Sequence, residues 1–458
     1  MAKAGEMADG SLRDKMGQAP LGMSAGPDPD EYSKCVHCGF CLEVCPTYQQ
    51  LSDENQSPRG RVFLIKQVAE GALPLEAAEG PVFACLDCRA CETVCPSGVP
   101  VGHLIEMSRG QIRAAQKGSR KSAWREQLML RGLFTHPERL RAAGGLLRFY
   151  QVSGLRRVAR AAGVLKVLPA HLREIEAGLP VVPRHHHTPP PLPVPGGARP
   201  GASGPVRVAL LTGCVMDVLF SDVNEATARV IARNHMSVTV PEGQVCCGAL
   251  HVHAGDREAA RDLARRNIDE FLGSQADYIV TNAAGCGAAM KEYGDLLKDD
   301  PAYHARAETF SGRVRDISEL LVEQGFDPPQ ATLDRQVTYH DACHLCHAQH
   351  IRKQPRQLLA AIGGVSVVEM NDSERCCGSA GIYNLTHPDM ARQLLQRKVE
   401  DIPKEADAVI MGNPGCMIQI RAGLAGSGRE TPVLHTVQLL DMAYRRELSG
   451  EHPSERQT

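Results

Sequence analysis

Two groups of four cysteines recur fifty residues apart near the start of the chain. The first is Cys35, Cys38, Cys41 and Cys45, followed by Pro46; the second is Cys85, Cys88, Cys91 and Cys95, followed by Pro96. Each reads C-x2-C-x2-C-x3-C-P, the run that holds 4Fe–4S clusters. Three thiolates two residues apart converge on one face of a cubane when the chain curls around it. The fourth, turned away by the proline, reaches the neighbouring cluster. The spacing therefore predicts two [4Fe–4S] clusters with exchanged fourth ligands. Cys35, Cys38, Cys41 and Cys95 hold one, and Cys85, Cys88, Cys91 and Cys45 hold the other. Zinc and disulfides are the bland alternatives. Zinc motifs rarely carry a third cysteine at this offset, and two complete copies with the proline argue against coincidence.

A second duplication lies downstream. Cys214, the pair Cys246 and Cys247 with Gly248, and Cys286 make its first copy; Cys343, the pair Cys376 and Cys377 with Gly378, and Cys416 make its second. The offsets are 129, 130 and 130 residues, and in both copies 37 residues separate the Cys-Cys-Gly glycine from the last cysteine. One buried cysteine is usually a small hydrophobe. Two matched sets of four are not, and they predict a metal or redox role, as a further iron–sulfur cluster or as zinc. Cys346 is the odd thiol, an extra ligand or a bystander. With Cys343 and His347 it completes a C-x-x-C-H haem signature. Haem is rejected because Cys343 already belongs to the repeat and no export signal or downstream methionine ligand is evident.

The elements that must position these thiols follow from local pattern. Short apolar runs at 206–212, 237–240, 278–281, 337–340, 365–369 and 408–411 read as strands, with helical stretches such as 256–273 and 387–402 between them. Alternating strands and helices predict two parallel-sheet α/β halves. The cysteines fall just past the strand C-terminal ends, where open α/β sheets place their ligands. Around the first motif pair, residues 57–71 put Val62, Leu64, Ile65 and Val68 on one helix face. The fold class is thus α+β multidomain: a mainly helical, ferredoxin-like module for two clusters, then two duplicated α/β domains. The expected boundaries are a disordered lead-in at 1–29, the cluster module at 30–115, a basic helical region at 116–178 and a proline-rich linker at 179–205. The two cysteine-rich domains follow at 206–330 and 331–446, then a tail at 447–458.

Composition bounds the function. At 458 residues, 43% hydrophobic and 23% charged with net charge −2, the chain is globular and has no global drive toward nucleic acid. Seventeen cysteines in metal-type spacings suit a reducing compartment. No run of 18 apolar residues and no signal-peptide pattern is evident, which predicts cytoplasmic residence, with the inner membrane face as an alternative. From Arg109 to Arg173 there are 15 Lys/Arg against two acids, Glu126 and Glu138. This reads as solvated helix faces or, more sharply, as a docking face for an acidic partner or a membrane, which charge reversal at Arg156, Arg157 and Arg160 would weaken. His185, His186 and His187 sit among nine linker prolines and read as filler. Neither a G-x-G-x-x-G loop nor a P-loop is present.

With both cysteine systems in view, the chain resembles the iron–sulfur subunits of bacterial glycolate oxidase (glycolate dehydrogenase). These join a two-cluster ferredoxin module to two cysteine-rich CCG domains, as heterodisulfide reductase subunits do. SPRGRVFLIKQVAEG, CLDCRACETVCPSGV with LIEMSRGQ, and LFTHPERLR with RFYQVSGL carry the resemblance. It implies an electron-transfer subunit served by flavin-binding subunits that oxidise glycolate to glyoxylate, with a quinone or other acceptor downstream and peripheral membrane contact as an option. Lactate or glycerol-3-phosphate wiring, or a heterodisulfide-reductase-like thiol enzyme, are the alternatives. Against the last, the CCG copies end in single cysteines rather than C-x-x-C, so a noncubane disulfide-reducing site is not expected.

Overall fold

The computed structural model describes residues 26–116, 129–184 and 204–449. Most of the expected lead-in, the three linker histidines and most of the tail lie outside the described residues. The N-terminal module is helical, with helices Pro29–Tyr32, Pro46–Leu51, Pro58–Ala69, Glu76–Phe83, Ala90–Thr93 and Val101–Ala115. Helix Pro58–Ala69 starts where Ser57 Oγ accepts the Gly60 N–H at 2.9 Å, with Pro58 in the first turn. Of its expected apolar face, Val62 and Ile65 are fully buried and Leu64 and Val68 pack at the margin. Leu104, Ile105 and Ile112 of the last helix close this core.

The second part holds two four-stranded sheets, entirely parallel. The first contains β1 (Val206–Leu211), β2 (Met236–Thr239), β3 (Tyr278–Thr281) and β4 (Val314–Asp316), in the order β2-β1-β3-β4. The second contains β5 (Arg335–Tyr339), β6 (Val365–Val367), β7 (Ala408–Met411) and β8 (Val433–His435), in the order β6-β5-β7-β8. In the first sheet Val208 pairs with Val238 on one side and Tyr278 on the other. The residues of β7 are all buried, as expected for parallel strands covered on both faces. The sequence reading lacks β4 and β8. Each is three residues long and runs straight into a helix, Ile317–Glu323 or Thr436–Ser449, so no separate strand period develops. The two sheets share one apolar core, in which Val208 and Val280 of the first half join Val337, Tyr339 and Ile410 of the second.

Between these parts lie the helices Pro137–Val152, Leu155–Ala161 and Ala170–Gly178. Here several arginines of the expected basic docking face are already engaged within the chain, while Arg157 is exposed and Lys117, Arg120, Lys121 and Arg125 lie outside the described residues. Arg109 is buried and donates to the backbone oxygens of Val82, Cys85 and His253. Arg131 pairs with Asp256 at 2.6 Å, and Arg141 with Asp217 at 2.8 Å. Arg156 and Arg160 both pair with Glu176. Their partners lie beyond the Arg109–Arg173 window, so local charge counting could not see them. The region also exposes apolar side chains: Leu146, Phe149, Val152, Val158 and Val167. No helix among the described residues is long and apolar enough to cross a membrane.

Candidate metal centres

The two cysteine motifs of the N-terminal module surround two neighbouring pockets. Cys35, Cys38, Cys41 and Cys95 line the first, which Cys91 also touches. Cys45, Cys85, Cys88 and Cys91 line the second. The chain thus brings Cys45 to the second group and Cys95 to the first. Curling around each pocket requires left-handed backbone at matched positions. His37 and Gly39 have φ of 55° and 87°, and their counterparts Asp87 and Arg89 have 52° and 60°. Glycine suits such a position and arginine is strained there, so Arg89 must be held from outside.

The second pocket is held on several sides by charge. Arg61 is buried beside it. Its guanidinium lies 3.8 Å from Cys45 Sγ and donates to Thr47 Oγ1 at 3.0 Å, Gln56 Oε1 at 2.9 Å and the Pro81 carbonyl at 2.7 Å. Burial pushes the Cys85 thiol up, while the charges of Arg61 and Arg109 pull it back. Cys88 and Cys91 are pushed well up by burial and by the neighbouring thiols. Such thiols give up their protons only to a metal that replaces them.

The same pocket is docked against the cysteine-rich half that starts at β1. Arg89 forks onto Glu292 and reaches Glu106 at 3.6 Å. Asp87 Oδ2 lies 3.0 Å from His253 Nδ1. Burial opposes protonation of His253, but hydrogen bonds to Asp87 and Glu106 overcome it and push its pKa up to about 9. Burial would raise Asp87, yet His253 and the nearby arginines hold it far below the usual carboxylate range. The second half also engages this pocket. His344 Nε2 donates to the Asp87 carbonyl at 2.8 Å, and Thr93 meets His347 at 3.0 Å. Cys88 packs in one apolar cluster with Cys376 and Cys343.

In each cysteine-rich half the four thiols gather past the C-terminal ends of three strands. Cys214 follows β1, the Cys246–Cys247 pair follows β2, and Cys286 lies in the helix Ala284–Lys291 after β3. Cys214 and Cys246 have their sulfurs 3.7 Å apart. Two thiolates on one tetrahedral metal at about 2.3 Å each would be about 3.8 Å apart. Cys247 interacts in turn with Cys246 and Cys286. The second half repeats the chain from Cys343 through Cys376 and Cys377 to Cys416. Gly378 has φ of 86°, and a Cβ there would lie 2.7 Å from the Ala391 carbonyl, so the last residue of this Cys-Cys-Gly turn must be glycine.

All the singled-out cysteines therefore fall into one of four clusters except Cys346. Cys346 is buried and groups with His347 and Glu374, with its sulfur 3.7 Å from the Cys343 carbonyl and near enough to the Cys343 thiol to feel its charge. Sequence reasoning missed Arg61, Asp87, Arg89 and His253. Only Arg89 left a trace, as a non-glycine residue where the first motif has Gly39. The donor sets fit iron–sulfur chemistry, since they are soft thiolates gathered where backbone turns admit a bulky group.

Comparison with known proteins agrees with this arrangement. Residues 31–99 match the 4Fe–4S dicluster domain, 208–291 and 337–421 the cysteine-rich domain, and 120–179 the linker region of the glycolate oxidase iron–sulfur subunit. The "Probable glycolate oxidase iron-sulfur subunit" of Bacillus subtilis is 41% identical over 91% of this chain and 94% of its own length. The glycolate oxidase iron–sulfur subunit of Escherichia coli is 36% identical over 90% of this chain and 94% of its own. A fumarate reductase (CoM/CoB) subunit from Methanothermobacter marburgensis is 30% identical over 91% of this chain and 73% of its own.

The chain belongs to the glycolate oxidase iron–sulfur subunit family and is an iron–sulfur protein.

Proposed function

We propose that this member of the family is the electron-transfer subunit of a glycolate-oxidising complex. A separate flavin subunit removes a hydride equivalent from glycolate to give glyoxylate, and this chain carries the electrons toward a quinone or another acceptor. The observation that carries the reading is the adjacency of thiol sites: the pocket of Cys45, Cys85, Cys88 and Cys91 packs directly on Cys343 and Cys376. Iron–sulfur clusters, when bound, supply one-electron transfer at potentials set by their surroundings. This chain's own residues do the setting. Arg61 and Arg109 place positive charge beside Cys85 and so favour the more negative, reduced state.

We assign Cys35, Cys38, Cys41 and Cys95 to one cluster and Cys85, Cys88, Cys91 and Cys45 to the other. Cys214, Cys246, Cys247 and Cys286, and Cys343, Cys376, Cys377 and Cys416, are assigned to further metal centres, iron–sulfur or zinc. A disulfide-reducing role is disfavoured by what stands three residues past the last cysteines: Ala289 after Cys286 and Gln419 after Cys416. The complex is placed in the cytoplasm, with flavin-binding subunits as partners.

The test is reconstitution. The purified chain alone should not oxidise glycolate, whereas mixed with its flavin subunits it should pass electrons from glycolate to a quinone or artificial acceptor. In the native host, gene deletion should abolish growth on glycolate. Loss of growth on lactate alone would keep the electron-carrying role and reject the substrate; loss of neither would reject the assignment.

A further inference from the structure

The two cysteine-rich halves have matching thiols but differ in what stands beside them. Three residues before Cys214, at the end of β1, is Leu211; three residues before Cys343, just past β5, is His340. His340 is fully buried, and one of its ring nitrogens lies within 4.8 Å of both the Cys377 and Cys416 sulfurs, which are within the same distance of each other. Its Nδ1 is 3.1 Å from the Ser373 carbonyl, while its Nε2 has no hydrogen-bond partner. An unpartnered imidazole nitrogen in such a place is costly unless something binds it. The arrangement is that of a ligating histidine: one ring N–H donated to a backbone carbonyl fixes the tautomer and leaves the other nitrogen's lone pair free for a metal.

A second observation points the same way. Lys398 is also fully buried; its ammonium donates to the carbonyls of Asp372 and Ser373 and reaches the Met370 sulfur, and the Asp401 carboxylate acts on it without an ion-pair contact among the described residues. The residue 130 positions earlier, in the first half, is Ile268. A fully buried cation with no carboxylate in contact is balanced further if the adjoining Cys376 and Cys377 are held as thiolates, and a bound metal does that.

We propose that His340 Nε2 is a metal ligand, so that the second half holds a mixed thiolate–imidazole centre with Cys377 and Cys416, whereas the first half is bound by thiolates alone. The inference rests on the reading of these halves as metal centres. A tetrahedral zinc ion or an iron of a cluster both accept such a donor set, with the metal–nitrogen bond at about 2.0–2.1 Å for zinc.

The experiment uses the full chain, purified without oxygen, with iron and zinc quantified. Zinc would be examined by X-ray absorption. A paramagnetic cluster would be examined by pulsed EPR after labelling with 15N-histidine. One nitrogen in the zinc shell, or a histidine nitrogen coupling on one cluster, is expected. His340→Cys should keep the metal and erase the nitrogen signal. His340→Leu, which installs the residue of the first half, should weaken metal retention against a chelator by about tenfold or more. A metal with sulfur ligands only, or a nitrogen signal that survives in His340→Cys, would overturn the inference while leaving the metal reading intact. No metal in the second half would overturn both. If His340→Leu fails to fold, the labelled wild-type spectrum and His340→Cys decide alone.

Discussion

At the first thiol pocket Val36 and Phe40 are 66% and 64% exposed; at the same positions of the second motif, fifty residues on, Leu86 and Ala90 are 5% and 9% exposed. The ligand spacing is identical, so the difference comes from what is packed outside it. The second pocket lies under the two cysteine-rich halves, fixed by Arg89 to Glu292, His253 to Asp87 and His344 to the Asp87 carbonyl. The first stays at the surface, with apolar side chains around an exposed Cys38. A duplicated metal motif has thus been given two environments, one open to a partner and one committed to the interior. An electron carrier needs both kinds of end.

The strongest way to break this comparison is to remove a crossing thiol. We predict that Cys45→Ala abolishes the cluster assigned to the docked pocket and lowers the iron content by about four atoms, the content of one 4Fe–4S cubane. Cys95→Ala should do the same to the exposed one. EPR of the two variants decides: if Cys45→Ala instead perturbs the cluster of Cys35, Cys38 and Cys41, the exchange of ligands is wrong.

Arg89→Gly gives the docked motif the residue of the exposed one. It relieves a left-handed arginine but takes one of two paired cations from the buried Asp87 and Glu106, leaving only His253, and frees Glu292. Breaking a buried pair typically costs about 3–5 kcal/mol, and relief of backbone strain offsets about 1, so a net loss of about 2–4 kcal/mol is expected. Denaturant unfolding should show a lower midpoint, and an unchanged midpoint would mean that Arg89 does not hold the interface.

The docked interface should also depend on pH. His253 faces Asp87, Glu106 and His344 and is raised from the ordinary 6.5 to about 9. A raised histidine contributes stability that is fully present below pH 6.5 and is lost as pH rises through 9. The gap converts to at most roughly 3 kcal/mol, shared with Asp87. Stability measured across this window should fall with pH, and His253→Gln should flatten the fall.

At the exposed end the expected effect on folding is smallest. Phe40→Ser should change stability by less than about 0.5 kcal/mol, since its side chain is mostly in water. If this face receives or delivers electrons, the same variant should still slow transfer between the reconstituted subunits. An unchanged rate would move the contact elsewhere, with the exposed Leu146, Phe149 and Val158 surface as the next place to substitute.

Much of this protein was legible because its chemistry is written locally. Three thiols of each N-terminal set, such as Cys35, Cys38 and Cys41, are brought together by covalent spacing alone. Strands such as Tyr278–Thr281 declare themselves as short apolar runs between turns, and the Cys-Cys-Gly turn declares its glycine. The matched offsets of the two halves carry the duplication. Legibility ended where partners are far apart in the chain. Arg156 and Arg160 read as free charges because Glu176 lies just outside the window, and Arg131 and Arg141 because Asp256 and Asp217 lie on another domain. Arg89 with Glu292, and Asp87 with His253, join residues 203 and 166 positions apart. His340 read as one more strand residue, since only the folded second half brings its nitrogen to Cys377 and Cys416. The sequence by itself determined which thiols are grouped and how many groups they make. Tertiary structure alone decided which site faces out, which is buried against its neighbour, and which charges surround it, because solvation and Coulomb interaction depend on distance in space and not along the chain.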